Sequence, residues 1–195
     1  MMDTRQKFSS ATVGLHWIVA LTVFFLWPLG YYMARTRTYA LWPVHQSTGT
    51  VLLAVVLVRV AWRYRNGWPQ PVGSYSQFER VLARVVHWTL IVSLLAMPLT
   101  GLISGYAGGY DITVFGWQIL PDNPNHAIVA ADAIHKAKVN PRSEWLHDFL
   151  QQVHIVLSRV LAAAVLLHVA GALKHHLIDR DGTLRRMLGA RLAGG

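Results

Sequence analysis

The residues most able to do chemistry here are two histidines, His154 and His168, fourteen residues apart in the apolar segment QVHIVLSRVLAAAVLLHVAGAL. Fourteen residues is two heptads, so on a helix both imidazoles project from nearly the same face. At about 1.5 Å per residue they stand roughly 21 Å apart, close to the two faces of a bilayer core about 30 Å thick. An ionisable side chain inside a membrane span marks a functional site. Two imidazoles stacked along one helix suggest two haems, one above the other.

The elements that must position them are helices in lipid. Of 195 residues, 53% are hydrophobic and 14% charged, which excludes a disordered chain and fits poorly with an ordinary soluble domain. Stretches 8–34, 38–58, 85–110 and 149–173 lack Asp, Glu, Lys and Arg, except for Arg159. Each is long enough to span a bilayer. The expected fold is all-α, an integral membrane four-helix bundle with spans near 14–34, 44–62, 83–105 and 153–173, forming a single domain over 1–195. The first span follows Arg5 and Lys7 but has no small-residue cleavage pattern, so it reads as retained and not as a signal peptide. Residues 107–147 form an expected periplasmic loop with a short helix around 127–138.

The net charge of +9 reads as topology and lipid contact, with no nucleic acid as partner. Basic residues concentrate at the N-terminus, in the second loop (Arg59, Arg63, Arg65, Arg80, Arg84) and in the tail (Lys174, Arg180, Arg185, Arg186, Arg191). The positive-inside rule then puts both termini in the cytoplasm. With no cysteine, disulfides, thioether-attached haem and iron–sulfur sites are excluded.

With alternating helix directions, His45 and His154 fall near the outer face, and His16, His87 and His168 near the inner face. A six-coordinate haem iron needs two facing imidazoles from different helices. His45 and His154 make the outer pair; His168 pairs with His16 or His87. Gly14, Gly49, Ala163, Ala164 and Gly171 leave room beside these positions for a macrocycle. Arg59 and Arg159 are candidates to hold haem propionates. His175 and Arg84 are candidates for a quinone site at the cytoplasmic end. His126, His135 and His147 read as polar residues of the periplasmic loop with no assigned role. A weak repeat relates His16-Trp17…Pro28-Leu29-Gly30 to His87-Trp88…Pro98-Leu99-Thr100-Gly101, and position 45 plus 14 is Arg59, where the fourth span has His168.

The chain resembles the bacterial cytochrome b561 family of four-helix, diheme b-type membrane cytochromes. The likeness rests on LHW at 15–17, on His45-Gln46-Ser47-Thr48-Gly49, and on Arg59 and Arg63. PLTGL at 98–102, the His154–His168 spacing and His175-His176 followed by DGTLRRM at 181–187 complete it. The resemblance implies two b haems per chain, His16 pairing with His168 and His45 with His154. It also implies electron transfer between a periplasmic donor or acceptor, superoxide among them, and membrane ubiquinone, an oxidoreductase activity. The rival reading is a cytochrome b anchor or relay subunit of a larger dehydrogenase or hydrogenase complex. A histidine-based metal or proton carrier ranks last, because the spans contain no Asp or Glu.

Overall fold

The structure is a computed structural model, and it describes residues 3–4, 6–69, 72–123 and 141–192. The expected helix around 127–138, with His126, His135, Lys136 and Lys138, lies outside the described residues. Four long helices carry the chain: α1 (Ser10–Thr36), α2 (Trp42–Asn66), α3 (Gln77–Ala107) and α4 (Glu144–Leu177). All four are long and apolar enough to cross a membrane. Each outruns its expected span because hydropathy reports only the lipid-buried turns, whereas polar caps extend the helices into water. Ser9 accepts from the Thr12 N–H at the start of α1. Ser76 and Glu79 form a reciprocal capping box on α3, and Ser143 caps α4, which satisfies amide donors that a helix start leaves unpaired.

The bundle's apolar surface faces outward. Leu21 is 64% exposed and Leu166 71%, an arrangement costly in water and natural in lipid. Inside, Val19, Val23 and Leu26 of α1 meet Leu52 and Val56 of α2 and Leu161 of α4, with Leu90, Leu94 and Met97 of α3 packed alongside. This apolar layer sits midway along the bundle and separates two levels of polar side chains. α1 packs along α2 and α3 along α4, so the bundle is built from two helical hairpins. The first and last described segments meet at one end of the bundle, where the Leu192 N–H donates to the Gln6 carbonyl (3.0 Å). There a short helix α5 (Thr183–Met187) brings the Met187 carbonyl to the Trp17 indole N–H (2.8 Å).

Among the described residues, the opposite end holds the one departure from all-helical structure. A two-stranded antiparallel hairpin, β1 (Ile112–Val114) and β2 (Trp117–Leu120), occupies part of the expected loop. Phe115 (φ 48°) and Gly116 (φ 90°) turn it, and positive φ at both central residues is what a tight hairpin needs. Gln46 and Ser47 of α2 pin it down: the Phe115 N–H donates to Ser47 Oγ (2.9 Å) and Gln46 Nε2 to the Asp111 carbonyl (3.1 Å).

Candidate functional site: two levels of paired histidines

At the hairpin end, His45 near the start of α2 faces His154 of α4, with ring centres 6.4 Å apart. At the termini end, His16 near the start of α1 faces His168 of α4 at 6.2 Å. The fourteen-residue spacing thus presents one imidazole of α4 to a different helix at each level. His87 of α3 also reaches His168, its ring meeting that ring edge-on at 5.1 Å.

Local sequence explains how the rings are held. Just before the PLTGL run of α3, the Met97 carbonyl accepts from Nδ1 of His154 (2.9 Å) and from the Thr100 hydroxyl (2.8 Å). That fixes the His154 tautomer with the proton on Nδ1 and leaves Nε2 bare. Gly101 lies flat against the same ring, where a Cβ would come within 3.1 Å of Cε1. Gly30 of α1 does the same for His45, at 3.0 Å. The two glycines close the two copies of the sequence repeat, so the repeat is a structural one: each copy ends on a glycine that clears space for an imidazole of its hairpin partner. Nδ1 of His45 is buried with no hydrogen-bond partner.

A partly open apolar pocket lies beside His45 and His154, walled by Val23, Leu26, Leu52 and Leu161. A Cβ placed on Gly14, Gly49 or Gly171 would meet nothing within 4 Å, so open space adjoins these positions. Ala164 is instead buried in packing.

The other expected residues divide. Arg59 points into the bundle, its Nη2 3.0 Å from Nδ1 of His16. Arg159 is exposed on the surface of α4, away from the close imidazole pairs. His175 is held by Asp179 (2.8 Å) and Asp181 (3.4 Å) and packs against Tyr75 (4.6 Å between ring centres). The Tyr75 hydroxyl donates to Asp181. The Lys174 ammonium, helped by His175, keeps the Asp179 carboxyl below its ordinary range despite some desolvation, so this carboxylate stays anionic beside the imidazole. Arg84 is exposed on α3 and is not among the groups that hold His175.

His147, read from sequence as an exposed polar residue, is half-buried. Its Nδ1 donates to the Ser104 carbonyl (2.8 Å). The missed signal is heptad spacing: His147, His154, Leu161, His168 and His175 form one column down α4. Sequence reading also missed the acidic partners of His175.

Residues 7–190 match the family model for prokaryotic cytochrome b561. The chain belongs to that family. It is 32% identical to cytochrome b561 homolog 2 of Escherichia coli (strain K12) over 96% of this chain and 94% of that protein. It is 28% identical to the probable superoxide oxidase CybB of Yersinia pestis, covering 94% of this chain and 97% of the relative. Cytochrome b561 homolog 1 of Escherichia coli (strain K12) is 25% identical over 95% and 98%. As a cytochrome b561 with four apolar helices, it is a multi-pass bacterial inner-membrane protein of electron transport, and the family implies b-type haem. The residues present fit that group. An imidazole nitrogen lies about 2.0 Å from a bound metal and about 1.1 Å from its ring centre, so two imidazoles across one ion have centres about 6.2 Å apart. The observed 6.2 and 6.4 Å match.

Proposed function

We propose that this cytochrome b561 holds two b haems, one between His16 and His168 and one between His45 and His154. It would pass electrons between a periplasmic redox partner and membrane ubiquinone. The observation that carries the reading is the pair of imidazole couples at metal-spanning separation, both anchored on one helix, with an apolar layer between them. Bound there, haem supplies reversible one-electron chemistry, and the chain supplies ligands, spacing and exclusion of water. His154 is preset for ligation by the Met97 carbonyl, which holds its proton on the nitrogen facing away from the site.

The positive-inside pattern supports placing the termini end in the cytoplasm and the hairpin end in the periplasm. Arg59, inside the bundle beside His16, is the better placed propionate partner; a propionate would draw its guanidinium off Nδ1 of His16. Arg159 would serve the outer haem only by turning in from the surface. At the cytoplasmic end, His175 is the quinone candidate, since Asp179 orients its imidazole and can support a proton passed to a carbonyl oxygen; Arg84 is a peripheral candidate there. The name of the Yersinia pestis relative makes superoxide the candidate donor. Two superoxide anions would then become two dioxygen molecules, while one quinone takes two electrons and two protons to become quinol.

The test is haem per chain and reduced-minus-oxidised spectra of the purified protein, beside His45→Ala and His16→Ala. Two haems, one lost with each substitution, support the ligand sets. Haem content unmoved by both substitutions refutes them. Quinone reduction by the protein alone with superoxide supports the oxidoreductase reading, and its absence favours the anchor-subunit alternative.

A further inference from the structure

His87 is the one histidine at the inner level that the ligand sets leave without work, and the repeat shows where it belongs. Its hairpin, α3 and α4, duplicates α1 and α2: Gly101 abuts His154 as Gly30 abuts His45. In this correspondence His87 takes the place of His16, and His168 the place of Arg59. The first hairpin brings its two members together as Arg59 against Nδ1 of His16, at 3.0 Å. The second brings its own two together as His87 against His168, at 5.1 Å between ring centres and 82° between planes. Each inner imidazole assigned to iron therefore has the non-ligating member of its own hairpin beside it.

The chemistry of the contact follows from the tautomer. Nδ1 of His87 lies 2.6 Å from the Ala83 carbonyl, and a carbonyl only accepts, so Nδ1 carries the proton. In the neutral ring Nε2 is then a bare acceptor. A separation of 5.1 Å is too short for an iron between the two rings, which needs about 6.2 Å. The rings meet edge-on with no hydrogen bond between them. But a 5.1 Å separation equals that across an N–H···N bond of about 2.9 Å with about 1.1 Å from nitrogen to ring centre on either side, so turning the rings without moving them apart makes one. A metal-bound histidine characteristically donates its outer N–H to such an acceptor, which makes it a more basic ligand.

Resting on the ligand assignment above, we propose that His87 is a positioning residue for the inner haem: once haem fixes the His168 ring, Nε2 of His87 accepts the outer N–H of His168 and strengthens that imidazole as a donor to iron. A stronger donor favours the oxidised metal, so His87 holds the potential of one haem down and leaves the other alone.

Redox titration and electron paramagnetic resonance of the full-length protein test this in His87→Phe, which keeps a ring edge without an acceptor, and His87→Gln, which restores an acceptor without the ring. His16→Ala is measured alongside. The expected result is two haems in His87→Phe, with one midpoint shifted upward, the matching low-spin signal moved, and the other haem unchanged. His87→Gln should return the midpoint towards wild type. Unchanged midpoints and signals in His87→Phe overturn the proposal, as does an equal shift in both variants, which would make ring packing the cause. If His87→Phe loses the haem, His87→Gln decides: a haem kept near its wild-type midpoint supports the acceptor role, and a second loss overturns it. If His87→Phe loses a haem that His16→Ala retains, His87 is itself the ligand, and the underlying assignment falls with the proposal.

Discussion

Gly30→Ala is the sharpest test of how the bundle holds its outer imidazole pair. The added Cβ would stand 3.0 Å from Cε1 of His45 and 3.6 Å from Nδ1. Ordinary carbon contacts begin at about 3.5 Å, so the ring must retreat by roughly 0.5 Å. That is about the tolerance within which a metal ligand must be held. Overpacking of this kind costs about 1–3 kcal/mol, which at tenfold per 1.4 kcal/mol weakens haem binding about 5- to 150-fold. The helix itself should not suffer, because alanine is favoured over glycine in a helix interior by up to about 1 kcal/mol. The expected signature is therefore split: helix content by circular dichroism unchanged, and one of two haems lost on dilution or competition with an external haem acceptor. Leu166→Ala, on the lipid-facing surface, is the control and should keep both haems. If Gly30→Ala retains both haems with wild-type affinity and spectrum, the contact does not limit the position of His45 and the reasoning is wrong.

Three further outcomes are expected. Gly49→Leu adds bulk where a Cβ meets no protein atom, so it should leave folding intact yet expel the outer haem; retention of two haems would mean the space serves no ligand. Asp3 is partly buried, which alone would raise its pKa, but hydrogen bonds from Ser9 and Thr12 and the Arg63 charge lower it below its ordinary value. A folded-state pKa below the unfolded one gives stability that is present above about pH 4 and fades as pH falls through the folded value. Thermal midpoints between pH 6 and 3 should therefore fall more for wild type than for Asp3→Asn, and parallel curves would show that Asp3 contributes nothing. Ser76→Ala breaks the capping box of α3 and should cost about 1 kcal/mol, read as a lowered thermal midpoint.

Much of this arrangement is legible in the sequence, for reasons that can be traced residue by residue. Lipid demands long uncharged helices, so the four helices announce themselves by composition. Their true ends do not, because Ser9, Ser76 and Ser143 cap turns that lie beyond the apolar runs. The His154–His168 spacing gives the two levels directly, since helical geometry converts fourteen residues into depth. The β-hairpin stayed hidden because its turn is Phe115-Gly116, a weaker signal than Asn-Gly, and because its anchors, Gln46 and Ser47, are distant in sequence. His147 looks like a loop residue because hydropathy puts the start of α4 too late, although the heptad that contains His154 and His168 extends back to it. The partners of His175 were also out of reach: Asp179 and Asp181 look like solvated tail residues until the chain turns back at the end of α4.

The repeat and its single break together account for the asymmetry of the site. A strict duplication would put a histidine at both levels of α2 and of α4, giving each hairpin its own inner imidazole pair. Arg59 stands where α2 would carry the second, so the inner close pair at metal-spanning distance is formed between hairpins, by His16 and His168. The outer pair also joins the two hairpins, through His45 and His154. Any group bridging both pairs would clamp α1–α2 to α3–α4 at two depths. The distance between those depths is set by α4 alone, as about 21 Å of rigid helix whose midpoint, Leu161, is buried in the apolar layer. Loops can then vary without changing that separation, since the ruler and the marks on it belong to one element.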